Sequence, residues 1–93
     1  MDASQIEFGI DSFGDLPRDD RGEVASHAEA IRATVAEAVL ADQVGIDVVA
    51  LGEHHRPDYA ISSPETVLAG IATATKRIRL SSGVTVLSSD DPV

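Results

Sequence analysis

Residues 46–53, IDVVALGE, form a nearly continuous apolar run rich in β-branched side chains, and the next six, HHRPDY, turn abruptly polar. A run of that length without polar alternation is the pattern of a strand covered on both faces, which is typical of parallel sheets. Parallel neighbours cannot be joined by a hairpin; each pair needs a crossover, usually helical. The flanking sequence should therefore hold helices.

It does on both sides. Residues 26–45, SHAEAIRATVAEAVLADQVG, open with Ser26 and carry Glu29 three places later, a capping-box signature. Ile31, Val35, Ala38 and Val39 follow at helical spacing, and Gly45 is a natural stop, so the spacing predicts a helix from about 27 to 43. Downstream, Ser63 and Pro64 supply an N-cap and a first-turn proline. Val67, Leu68, Ile71, Ala74 and Thr75 make a second apolar stripe, and Lys76 and Arg77 sit at its end, where cations suit the helix dipole. The short runs IEFGID at 6–11, with Phe8 and Ile10 on one face, and RIRLSSGVTVL at 77–87 read as the first and third strands. SFGDLPRDDRGE at 12–23 and SSDDPV at 88–93 read as loops.

Strand, helix, strand, helix, strand implies right-handed crossovers and a parallel sheet. Either a doubly wound sheet or the opening of a (β/α)8 barrel fits. Gly9 and Gly14 are five apart, so no G-x-G-x-x-G follows the first strand. A whole barrel takes about 250 residues, so 93 residues would supply roughly three-eighths of one. A three-stranded sheet with two open edges is a poor final state. The chain is thus expected to be a truncated piece, weakly folded or self-associated in isolation.

Composition removes several functions. Sixteen acids against seven bases give a formal net charge of −9, which argues against nucleic acid or an anionic membrane surface as partner. There is no cysteine, hence no disulfide and no thiolate metal site. The start, MDASQIEFGID, lacks a basic, apolar secretory leader, and no apolar run approaches the roughly 20 residues of a membrane span. A cytoplasmic protein is expected.

Glu53, His54 and His55 follow the second strand, at the end where parallel folds put their chemistry. Extended neighbours point to opposite sides, so His54 should face away from Glu53 and His55. A solvated polar turn is the commonest role of such a loop; acid/base or hydrogen-bonding work comes next. Metal binding comes last, because H-E-x-x-H spacing and a third ligand are missing. Arg56 and Asp58 read first as a surface ion pair, and Asp15, Asp19, Asp20 and Glu23 as a solvated loop. His27 belongs to the start of the first helix. Asp11, closing the first strand, lies in the same layer as His54 and is a candidate cofactor contact.

Three stretches together resemble the luciferase-like flavin-dependent monooxygenases, the bacterial luciferase family. They are FGID on the first strand, GIDVVALGEHHRPDYAISSPETVLAGIA, and TKRIRLSSGVTVLSSDDPV, and they cover nearly the whole chain in the family's own order. The resemblance implies that residues 1–93 are the N-terminal part of a single (β/α)8 barrel domain, its first three βα units. It implies reduced flavin, FMN or in some branches a deazaflavin, acting with oxygen or by hydride transfer on a small organic substrate. His54 matches the family's catalytic or cofactor-contacting histidine, with Glu53 and His55 flanking it. Gly83 and Val84 match the backbone that passes under the flavin ring. There the family carries a non-proline cis peptide, expected in a complete barrel and expected to relax to trans if the chain ends at Val93. A homodimer and a separate flavin reductase are further partners that the likeness implies. The phosphate-binding loops near strands seven and eight would lie beyond these residues, so the chain alone should not hold flavin tightly and should be inactive. Two other classes stay open: a non-catalytic, flavoprotein-like binding piece, and a metal-dependent barrel hydrolase.

Overall fold

The computed structural model describes residues 2–86. After one 3-10 turn, Ala3–Gln5, the elements are β1 (Gly9–Ser12), α1 (His27–Val44), β2 (Val48–Leu51), α2 (Pro64–Ala74) and β3 (Arg79–Ser82). The three strands pair in parallel in the order β1-β2-β3. Register places Gly9, Val48 and Arg79 in one row and Ser12, Leu51 and Ser82 in the last. The alternation predicted from sequence is therefore the alternation found. The loop expected over 88–93 lies outside the described residues.

The strands are shorter than their apolar runs. β1 starts at Gly9 rather than at residue 6, because the chain before it is held by a side chain. The Phe8 amide donates to Asp47 Oδ2 at 2.8 Å, and the Phe8 carbonyl accepts from Asp47 and Val48 at 2.9 and 3.3 Å. Ladder pairing begins only beyond that point. β2 is covered on one face, not two: Val49 and Leu51 are buried, while Val48 and Ala50 are half-buried. Its second face looks away from both helices.

Local chemistry sets the helix ends. Ser26 Oγ accepts from the Glu29 amide at 3.1 Å, and Gly45 adopts φ 93° as the left-handed C-cap of α1. Ser63 does not cap α2 with its side chain; its hydroxyl donates to Glu65 Oε1 at 2.6 Å instead. Lys76 and Arg77 fall beyond the end of α2, and a carboxylate from α1 holds their backbone. Asp42 accepts from the amides of Lys76, Arg77 and Ile78 at 3.1, 2.8 and 2.8 Å. The Arg77 and Ile78 amides hold that carboxyl below its usual range.

The core lies between the helices and one sheet face. Leu51, Ile61 and Ile71 are fully buried there, against Ala38, Ala41, Val49 and Ile78. Burying each of the three large side chains contributes about 1.5–3 kcal/mol. Ala38 and Ala41 of α1 join this core from the helix that packs beside α2. With the helices on that face, the opposite face and the C-terminal strand ends are left for the site.

Candidate functional site

Two loops meet at the C-terminal end of the sheet, one after β1 and one after β2. Gly14 is the hinge of the first. It is buried at φ 70°, and a Cβ there would stand 2.6 Å from Ile61 Cγ1, so only glycine fits. Backbone bonds then lace the loops together: Ala60 to the Gly14 carbonyl at 2.8 Å, Ile61 to Phe13 at 3.3 Å, Leu16 to Asp58 at 3.0 Å. His27 Nε2 lies 3.1 Å from the Pro57 carbonyl and ties the start of α1 to the same loop. The histidine loop is thereby tied to the loop after β1 and to the start of α1, while His55, Arg56, Pro57 and Asp58 stay exposed.

His54 is half-buried among rings. Its centroid is 5.1 Å from Phe13 and 4.5 Å from Tyr59, and Phe13 meets Tyr59 edge-on at 5.8 Å. Its amide donates to the Ile61 carbonyl at 3.1 Å. Gly52 makes the cluster possible, because the space its side chain would fill is taken by the Phe13 ring and the Gly83 carbonyl. Arg56 stands 5.6 Å from the Tyr59 centroid and pairs with Asp58 at 3.2 Å, the surface ion pair expected of it.

Glu53 and His55 turn the other way, as extended geometry predicts. His55 Nε2 is 2.5 Å from Glu53 Oε2, with the carboxylate side chain 1% exposed and the imidazole 56%. Glu53 also reaches the chain leaving β3: its amide donates to Val84 O and its Oε1 accepts from the Val86 amide, both at 3.0 Å. The Gly83–Val84 peptide is cis in this chain, so the trans bond expected for a chain ending at Val93 is not found. Gly83 packs over Ala50, the register partner of Asp11. Next to it, Ser82 and Thr85 share a hydroxyl bond at 2.7 Å, and Thr85 Oγ1 lies 3.4 Å from Glu65 Oε2.

Asp11 is exposed and outside the ring cluster. Pairing puts it with Ala50 on the face away from Val49 and Leu51, and its open edge also borders a groove against Ala30, Thr34 and Glu37 of α1. Among the described residues no three His, Asp or Glu side chains converge as a metal site, and no helix is long and apolar enough to cross a membrane. Phe13, Tyr59 and Gly52, and the positive φ of Gly14, are parts of the site that the sequence alone does not single out. Tyr59, the one tyrosine of the chain and five positions after His54, is the only local signal the sequence offers.

These strand ends can be set beside known proteins. The pattern of the luciferase-like monooxygenase family matches residues 7–93. The N-acetyl-S-alkylcysteine monooxygenase of Bacillus subtilis is 37% identical over 67 residues, 71% of this chain and 20% of that protein. The 4-hydroxyprotoasukamycin monooxygenase of Streptomyces nodosus subsp. asukaensis is 44% identical over 52 residues, 55% of this chain and 14% of that one. Among solved structures, the oxygenating constituent of 3,6-diketocamphane monooxygenase from Pseudomonas putida, in complex with FMN, superposes with TM-score 0.73 at 30% identity. It matches 92% of this chain, which covers 22% of it. Apo-MsnO8 gives TM-score 0.76 at 26% identity, over 90% of this chain and 24% of that one. The chain spans about a fifth of the length of the curated relatives it matches first. The three parallel strands and two helices are thus a fragment of the (β/α)8 fold of those structural neighbours, and the chain belongs to the luciferase-like monooxygenase family.

Proposed function

We propose that residues 1–93 are the N-terminal part of a single barrel domain of a flavin-dependent oxidoreductase, and that they form one wall of its flavin and substrate site. The observation that carries this reading is the set at the strand ends: His54 held between Phe13 and Tyr59, with Phe13 seated on Gly52 next to the small residues Ala50 and Gly83. A flat ring fits such a surface, since Gly83 and Ala50 offer no bulk and Val84 beside them is 67% exposed. Reduced FMN, or a deazaflavin in its place, would supply the electron chemistry toward oxygen or a small organic substrate.

Each residue then has a task. Gly83 and Val84 support the ring face, and Asp11, exposed at the edge of β1, contacts the cofactor from the neighbouring strand. In this reading the His54 imidazole takes or gives a proton at a ring nitrogen as the general acid or base of the site. Phe13 and Tyr59 hold that imidazole and exclude water from one side. The reading extends to a cytoplasmic protein, consistent with its cysteine-free, acidic composition, supplied by a separate reductase and working as a homodimer. The 93 residues alone are inactive in this reading, since the remaining wall of the barrel lies outside them.

The test is FMN titration into protein expressed from the whole reading frame, followed by quenching of flavin fluorescence. Oxygen uptake with photoreduced FMN is measured next. Saturable binding with oxygen uptake supports the proposal. Binding without uptake favours the non-catalytic alternative, and no binding of FMN or deazaflavin overturns it.

A further inference from the structure

We propose that Glu53 is a positioning residue, a buried carboxylate that fixes the path of the chain leaving β3. His55 serves as its hydrogen-bonding partner and not as a contact to substrate. Through that path Glu53 sets the Gly83–Val84 face, and this last step rests on the flavin reading above.

The argument starts from burial. The Glu53 side chain is 1% exposed, whereas its partner His55 is 56% exposed. Taking a carboxylate out of water costs several kcal/mol unless hydrogen bonds satisfy it. A surface ion pair would leave both groups wet, so the inward placement needs another cause. Val86 supplies it. The chain after β3 keeps one further bond to β2, Gly83 amide to Leu51 carbonyl at 2.8 Å, and then departs. From there Glu53 grips it twice, by its own amide on Val84 O and by Oε1 on the Val86 amide, on either side of Thr85. The side chain takes over where the ladder ends. His55 Nε2 meets the other carboxylate oxygen at 2.5 Å, with its ring turned away from the His54 cluster. Charge-assisted bonds of this kind are shorter and stronger than neutral ones.

The conservative variant separates positioning from bulk stability. Glu53→Gln keeps an oxygen for the Val86 amide; Glu53→Ala removes it. Amide hydrogen exchange is read at Val86 and across α1 and α2, and the FMN dissociation constant is measured in protein from the whole reading frame. Glu53→Ala should speed Val86 exchange and weaken FMN by about tenfold or more, the scale of one lost hydrogen bond to a charged group. Exchange in α1 and α2 should stay unchanged, and Glu53→Gln should restore most of both effects. His55→Ala should speed Val86 exchange in the wild-type background and far less beside Glu53→Gln. If Glu53→Ala does not fold, the His55→Ala and Glu53→Gln pair decides alone. Unchanged Val86 exchange in Glu53→Ala overturns the proposal, as does loosening spread equally over α1 and α2. So does a His55→Ala effect that is undiminished beside Glu53→Gln. If wild-type protein binds no FMN, the flavin reading falls and the exchange data still settle the clamp.

Discussion

The Phe13 ring occupies the place a side chain on Gly52 would need: a Cβ built there stands 2.1 Å from Phe13 Cε1 and 2.8 Å from the Gly83 carbonyl. Gly52→Ala must therefore push the ring off β2 or shift the chain at Gly83. Overpacking of this kind costs about 1–3 kcal/mol. The expected outcome is that loss in urea unfolding, together with a changed His54–Phe13 contact in aromatic NMR shifts. Adding Phe13→Leu should recover only part of the stability, because the Gly83 carbonyl still clashes.

Two other glycines separate backbone conformation from crowding. Gly45 has φ 93° with nothing within 4 Å of a built Cβ, so Gly45→Ala carries the left-handed backbone cost alone, about 1–2 kcal/mol. Gly14 has φ 70° and also meets Ile61 at 2.6 Å, so Gly14→Ala adds overpacking and should cost about 2–5 kcal/mol. Equal losses in chemical denaturation would contradict the role given to Ile61. Gly14→Ala should also loosen the histidine loop, seen as faster exchange at the Ala60 amide.

How much of this was legible beforehand follows from the range of the interactions involved. α1 was readable because its signals are local: Ser26 and Glu29 are three residues apart, and Gly45 stops it without outside help. The opposed directions of His54 and Glu53 followed from alternation along a strand. What remained hidden depends on contacts across the sequence. The Phe8–Asp47 bond that shortens β1 spans 39 positions, and the Asp42 staple on the turn after α2 spans 34 to 36. Phe13 joined the site only once the register set β1 beside β2 and Gly52 left room. Nothing in residues 12–16 alone marks Phe13 as a wall for a histidine in the loop after β2.

The Asp42 staple predicts a pH effect of definite sign. Its carboxyl is lowered from 3.8, chiefly by the Arg77 amide and then by that of Ile78. A depressed folded-state value means stabilisation that is fully present above the unfolded value of about 3.8. It is lost as pH falls through the lower folded value. Wild-type thermal midpoints should thus drop below pH 4, and Asp42→Ala should start lower at pH 7 and drop less over the acid interval. Parallel curves for the two proteins would remove Asp42 from the account.

The two adjacent histidines should fail in different ways. His54 sits against Phe13 and Tyr59 at the strand ends, whereas His55 is bound to Glu53, which holds Val84 and Val86. Under the flavin reading His54 handles a proton, a contribution worth about 10²–10⁴-fold in rate. His54→Ala should therefore cut kcat at saturating FMN by at least about 10²-fold while leaving the FMN dissociation constant nearly unchanged. His55→Ala should do the reverse, because it loosens the support of the Gly83–Val84 face and leaves the proton-handling ring in place. Turnover at saturating flavin and fluorescence titration of FMN, run on both variants, read the two quantities separately. Equal losses of kcat, or a larger loss at His55, would reverse the assignment of the two rings. A fall in FMN affinity for His54→Ala alone would make that histidine a cofactor contact with no part in proton transfer.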